Sequence, residues 1–129
     1  MSNRIRVLLA QPGPTPVEGT LRDRGMDVVV VHDHVNAVDT LSAERFDVVV
    51  LDLCMDHAQG ALRDIRGIDA STPVLLLVLG ADLPGVVQVL RPGLADFLLQ
   101  PCPTEALIAA IETASERESV PPGPAVWGM

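Results

Sequence analysis

The sequence predicts an α/β fold, a three-layer sandwich in which five parallel strands carry helices on both faces. Three observations predict it. Five short apolar runs recur along the 129 residues, most of them rich in Val, Ile and Leu. Between them lie stretches whose apolar residues return at helical spacing. Gly, Pro and Asp mark the junctions. Right-handed crossovers between parallel strands leave few topologies. The order 2-1-3-4-5 suits five strands and puts the switch point between strands one and three.

The first strand is Ile5 to Ala10. The loop Gln11-Pro12-Gly13-Pro14-Thr15-Pro16 follows, then a short helix that ends near Arg24, with Gly25 as its stop. Asp27 to Val31 is the second strand. Asp33 is placed to cap a helix over Val35 to Arg45, where Val35, Val38, Leu41 and Ser42 repeat at helical spacing. The third run, Asp47-Val48-Val49-Val50-Leu51-Asp52-Leu53, is continuous and β-branched, as a strand buried on both faces should be. It ends in a carboxylate, at the edge where open parallel sheets place their binding crevice.

A loop through Met55-Asp56-His57 leads to a helix over Ala58 to Gly67, with Ala58, Ala61, Leu62 and Ile65 on one face. Pro73 opens the fourth strand, Val74 to Leu79. After Gly80-Ala81-Asp82-Leu83-Pro84, a fourth helix ends near Arg91, because Pro92-Gly93 stops it. Ala95 to Leu99 is the fifth strand. Pro103 starts the last helix, whose inner face is read as Ala106, Leu107, Ala110, Ile111 and Ala114. One domain is expected over residues 1–118. The Pro- and Gly-rich stretch 119–129 is a linker or frayed end, and the chain is either whole or the front part of a longer protein.

An apolar content of 48% with 20% charged residues fits a globular domain and excludes a disordered chain. The net charge of −8, with no basic cluster, argues against nucleic-acid binding by this chain. No apolar run approaches the roughly 18 residues that span a bilayer, and no signal-peptide pattern is present, so a cytoplasmic protein is expected. Cys54 and Cys102 are too few for a disulfide framework and read as free thiols. All nine basic residues are arginine.

The segment Leu51-Asp52-Leu53-Cys54-Met55-Asp56-His57-Ala58-Gln59-Gly60 resembles the phosphoacceptor region of the CheY-like receiver domains of response regulators. Those domains have a phosphoacceptor Asp, Met three residues on and Gly eight residues on. Asp52, Met55 and Gly60 fit, and Asp56 stands where Pro is usual. Thr72-Pro73-Val74-Leu75-Leu76-Leu77 is similar to the family's fourth strand. Gly93-Leu94-Ala95-Asp96-Phe97-Leu98-Leu99-Gln100-Pro101 is similar to its fifth, and Arg24-Gly25-Met26-Asp27-Val28 to the end of helix one. The resemblance covers residues 4 to 116. It implies a CheY-like (flavodoxin-like) fold, a place in two-component phosphorelay signalling, and Phe97 as the switch aromatic.

The departures are as informative. Two Mg²⁺-holding acids usually follow strand one; Gln11 and Pro12 stand there. Val78 replaces the Thr or Ser at the end of strand four, and bulky Leu79 follows where a small residue is usual. Gln100 replaces the Lys after strand five. Only Asp52 survives of the five polar positions. Phosphoryl transfer to a carboxylate rests on positioning and charge neutralisation. A cation about 4 Å from a phosphoryl group contributes roughly 4 kcal/mol at an effective dielectric near 20. Its loss removes on the order of 10³ in stabilisation. The expectation is therefore a pseudo-receiver, not an enzyme, with no cofactor and Mg²⁺ held weakly or not at all.

Such a domain is expected to act through protein interaction, with a partner or as a homodimer. The family uses the face of its fourth helix, fifth strand and fifth helix; here that is Val86 to Arg91, Phe97 and the outer side of Thr104 to Glu116. An effector domain beyond the tail is compatible with this, and the chain itself needs neither nucleic acid nor membrane. Two alternatives stay open: a slow or metal-assisted phosphoacceptor at Asp52, and a small-ligand module of flavodoxin type. Three prolines in the Gln11–Pro16 loop remove the N–H donors that a flavin phosphate needs. A metal site from His32, Asp33, His34 and His57 would have to bridge loops of strands two and three, roughly 9 to 10 Å apart. These histidines read instead as solvated.

Overall fold

A strand buried on both faces needs apolar side chains, and the five runs supply them at all but their end positions, with Val74–Leu79 apolar throughout. In the computed structural model, which describes residues 4–13, 16–52, 58–68, 71–79, 96–100 and 103–117, the chain runs β1 (Arg6–Ala10), α1 (Val17–Asp23), β2 (Asp27–Val31), α2 (His34–Ala43), β3 (Val48–Asp52), α3 (Ala58–Ile68), β4 (Val74–Leu79), β5 (Asp96–Gln100) and α4 (Thr104–Arg117). The strands are all parallel, in the order β2-β1-β3-β4-β5. This is the predicted CheY-like, flavodoxin-like sheet. α4 is the predicted fifth helix. The predicted fourth helix and the tail lie outside the described residues, as do Cys54, Met55, Asp56, His57 and Cys102.

Alternation along the strands divides the core in two. On one face Leu8, Ala10, Val49, Leu51, Val74, Leu76 and Val78 pack beneath α2 and α3, against Ala37, Leu41, Ala61, Leu62 and Ile65. On the other, Val7, Leu9, Val48, Val50, Leu75 and Leu77 pack beneath α1 and α4, against Leu21, Leu107, Ile108, Ile111 and Ala114. Burying each such Val or Leu stabilises the fold by about 1.5–3 kcal/mol, whereas an exposed ion pair gives about 1 kcal/mol or less. The two clusters, not the surface charges, hold the sheet.

The helix ends follow the sequence signals. α1 stops at a Schellman turn: Gly25 takes φ +86°, its N–H reaches Arg22 O, and the Met26 N–H reaches Leu21 O at 3.1 Å. Leu21 and Met26 are both in the core beneath α1. Asp33 caps α2, accepting from the Asn36 N–H at 2.7 Å. At the amino-terminal end of the sheet, Arg6 reaches Asp27, Glu44 and the Arg45 carbonyl, and its guanidinium sits 4.8 Å over the Phe46 ring.

Two predicted faces are corrected. Val35 is 67% exposed, and the buried members of α2 are Ala37 and Leu41. The inward stripe is His34, Ala37, Val38 and Leu41, so Val38 and Leu41 stand on the expected face while Val35 and Ser42 are exposed, and the helix stops at Ala43. In α4 the buried set is Leu107, Ile108, Ile111 and Ala114, while Ala106 and Ala110 are half-buried. The larger Ile108 takes the inner position.

Candidate functional site

The carboxyl ends of β1 and β3 meet where the strand order reverses, and this is where doubly wound sheets open a crevice. β3 places Asp52 there. Its place in the sheet is set by register, because Asp52 pairs with Leu77 of β4 and Leu77 with Leu98 of β5. On the other side, Ala10 pairs with Leu51, so Gln11 stands one step further, beside Asp52. The row across the crevice thus reads Gln11, Asp52, Leu77, Leu98. It continues the face that carries Val7, Leu9, Val48 and Val50, above α1 and α4.

Gln11 is 7% exposed, one of two buried polar residues among those described. Its backbone N–H donates to Val31 O at 3.0 Å, and its side-chain amide donates from Nε2 to Gly13 O at 3.1 Å. The Gln11 carbonyl accepts from Nδ1 of His32 at 3.0 Å. Gln11 is therefore tied to its own loop and to β2. Pro12 is exposed and brings neither charge nor N–H. Asp52 itself is half-buried.

One row further along the strands, Leu79 pairs with Gln100. Alternation puts both on the same face as Asp52. Leu79 is 41% exposed and Gln100 half-buried. Val78 turns to the opposite face, fully buried in the core beneath α2 and α3, and pairs with Leu99. The sheet brings Gln11, Asp52, Leu79 and Gln100 to one side and Val78 to the other. Phe97 lies in β5 opposite Leu76; its side chain is outside the described residues.

Of the histidines read as solvated, His57 lies outside the described residues and the other two are engaged. His32 bonds the Gln11 carbonyl, and Nε2 of His34 lies 2.7 Å from Asp64 Oδ2 on α3. Asp33 has both carboxylate oxygens on Asn36. No cluster of three His, Cys, Asp or Glu suited to a metal ion occurs among the described residues. The His34–Asp64 pair is not legible in the sequence, since 30 residues and a helix crossing separate its members.

The model of the response regulator receiver domain matches residues 15–112. The chain belongs to the response regulator receiver family. The transcriptional regulatory protein CutR of Streptomyces coelicolor is 35% identical over 103 residues, which cover 78% of this chain and 48% of CutR. The receiver chain thus spans about half the length of that curated relative. The Francisella response regulator 1452 receiver domain is 23% identical with a TM-score of 0.78, over 88% of this chain and 98% of that one. The receiver domain of sensor histidine kinase PA1611 from Pseudomonas aeruginosa, with a magnesium ion coordinated in its active site cleft, is 23% identical with a TM-score of 0.74, over 88% of this chain and 99% of that one. Both structures share the receiver fold. This receiver is thus of the type found in two-component response regulators. No helix among its described residues is long and apolar enough to cross a membrane.

Proposed function

We propose that this receiver signals through phosphorylation-independent protein–protein interaction, as a cytoplasmic binding module without a catalytic residue of its own. The observation that carries the reading is the row Gln11, Asp52, Leu77, Leu98, in which Asp52 is flanked by an amide and by leucines. Mg²⁺ demands octahedral oxygen ligands and is held by one or two carboxylates plus phosphate and water. Gln11 has its amide turned to Gly13, Pro12 is a proline, and Asp33 is taken up as a helix cap. This donor set does not fit the ion. Gln100 brings a hydrogen-bonding amide to the edge of the same face but no charge to set against a phosphoryl group.

On this reading Gln11, Pro12 and Gln100 are degenerate pocket positions around a phosphoacceptor position, Asp52, Val78 is a degenerate position that faces the core beneath α2 and α3, and Phe97 is the switch aromatic. The interacting unit is residues 1–118, and its face is that of the predicted fourth helix, β5 and α4. The occupant of the face is a protein partner or a second copy. That CutR is a transcriptional regulatory protein of which the matched residues cover 48% supports an effector domain beyond the tail. A second reading, slow phosphorylation, draws on Asp52 itself, since a carboxylate does stand at the end of β3.

Incubation with a small-molecule phosphodonor, or with beryllofluoride and Mg²⁺, followed by intact-mass and amide-shift measurements, tests the reading. The expected result is no adduct, and partner binding that survives Asp52→Asn. Full occupancy of Asp52 with shifts reaching Phe97 overturns it; slow partial occupancy supports the second reading.

A further inference from the structure

We propose that the outer edge of β2 pairs, antiparallel, with the β2 edge of a second copy of this chain. The inference does not depend on whether Asp52 is phosphorylated. β2 has one neighbour, β1, and successive residues of a strand turn their peptide groups to opposite sides. The Asp27 N–H donates to Ile5 O at 2.9 Å, and the Val31 carbonyl accepts from the Gln11 N–H at 3.0 Å. Asp27, Val29 and Val31 therefore face β1, and Val28 and Val30 face outward. The Val28 carbonyl accepts from Nη2 of Arg22 at 2.9 Å. Among the described residues, nothing bonds the Val28 N–H or either peptide group of Val30. Such a row of ladder groups takes on a further strand. The side chains suit one as well, because Val28 to Val31 is an unbroken valine run in which Val29 and Val30 are only half-buried.

The charges beside the edge select a second copy as its occupant. Pairing about a two-fold axis through Val29 sets Val28 opposite Val30 of the partner subunit, and the reverse, which closes four N–H···O bonds. Asp27 then comes opposite Val31 of the partner subunit, so no like charges meet across the ladder. The axis stands perpendicular to the sheet, and both copies present α1 on the same side, running antiparallel. Glu18 and Arg22 are an ion pair one turn apart on α1, and Arg22 marks the side of that helix that overlooks the edge. One turn is about 6 Å, close to two residues of strand, so the two-fold brings Glu18 of each copy level with Arg22 of the other. Arg22 can leave the Val28 carbonyl to the incoming N–H and take its carboxylate from the partner subunit. An extended segment of another protein would have to bring such an acid; a second copy already carries it.

Sedimentation equilibrium of the full chain reads the association. In about 0.15 M salt the Debye length is about 8 Å, which screens the repulsion between two chains of net charge −8. A dimer that dissociates on dilution is expected; a monomer at every concentration up to about 1 mM overturns the proposal. Amide hydrogen exchange locates the seam, and Val28 and Val30 should exchange about tenfold more slowly in the dimer than in the diluted monomer. A dimer that leaves these two amides unprotected, as one built on β5 and α4 would, overturns the proposal. Val30→Pro removes an N–H that β1 does not use, and should abolish the dimer while the monomer keeps its circular dichroism. Two further variants do not depend on how the strand tolerates proline. Glu18→Arg should weaken dimerisation about tenfold, and Glu18→Arg with Arg22→Glu should restore it to within about threefold of the native chain. Unchanged dimerisation in the first, or no recovery in the second, overturns the proposal.

Discussion

The imidazole of His34, at the first residue of α2, meets the carboxylate of Asp64 on α3 at 2.7 Å. The same ring lies over Gly60, where an added Cβ would come within 3.4 Å of Cε1. One side chain thus positions α3 by a hydrogen bond and by contact. Its two partners are both on the helix that follows the loop from Asp52.

The pair is partly open to solvent, with side-chain exposures of 26% and 51%, so its contribution is small. A double-mutant cycle of His34→Ala and Asp64→Asn in urea is expected to give a coupling energy of about 0.3–1 kcal/mol. A coupling energy of zero would show that the two side chains stabilise α2 and α3 independently.

Arg6 is a stronger fastening. It joins β1 to Asp27 at the start of β2 and to Glu44 and Arg45 after α2, while covering Phe46. Arg6→Ala should cost about 1–2 kcal/mol in chemical denaturation once solvent screening of its ion pairs is allowed for. Arg6→Lys should recover less than half, because one ammonium cannot reach three acceptors in a fork. The hydrogen bond to Glu44 raises the Arg6 pKa above the ordinary arginine value. A raised pKa means a contribution that is complete below the unfolded-state value and lost only as pH climbs through the folded one, so salt and not mild alkali should weaken this clamp.

Two glycines should respond in opposite directions. Gly19 lies inside α1, and a Cβ added there would meet nothing within 4 Å. Gly19→Ala should therefore raise stability by about 0.5–1 kcal/mol. Gly25 has the same open space but φ +86°, and Gly25→Ala should lower stability by about 1 kcal/mol. Thermal unfolding of the two variants separates backbone strain from crowding.

Val78 offers a test of the core rather than of the chemistry. It is fully buried among apolar side chains beneath α2 and α3. Val78→Thr should cost about 1–3 kcal/mol, since the new hydroxyl loses water there. A neutral result would mean that the hydroxyl finds a partner at the strand end.

The inner strands are legible because burial on both faces confines polar residues to their ends, as in the run Val48–Leu51. Caps are legible too: Asp33 and Gly25 each act through the backbone next to them. The inner faces are less so. Val35, which is 67% exposed, outweighs small Ala37 in the periodicity of α2. Of the site, Asp52 and its neighbour Gln11 can be placed by topology alone. The roles of His32 and Gln11 toward each other cannot, because a side-chain bond to a carbonyl 21 residues away leaves no periodic trace.

The β1–β2 ladder does not end where the strands do. The Gln11 amide adds one more rung to Val31, and His32 closes over the Gln11 carbonyl from the side. One lip of the crevice is riveted in this way to the outermost strand, β2. Deuterium should enter the Gln11 amide as slowly as it enters the strand interior, and whatever motion accompanies partner engagement should travel away from the rivet, by way of β4 and β5.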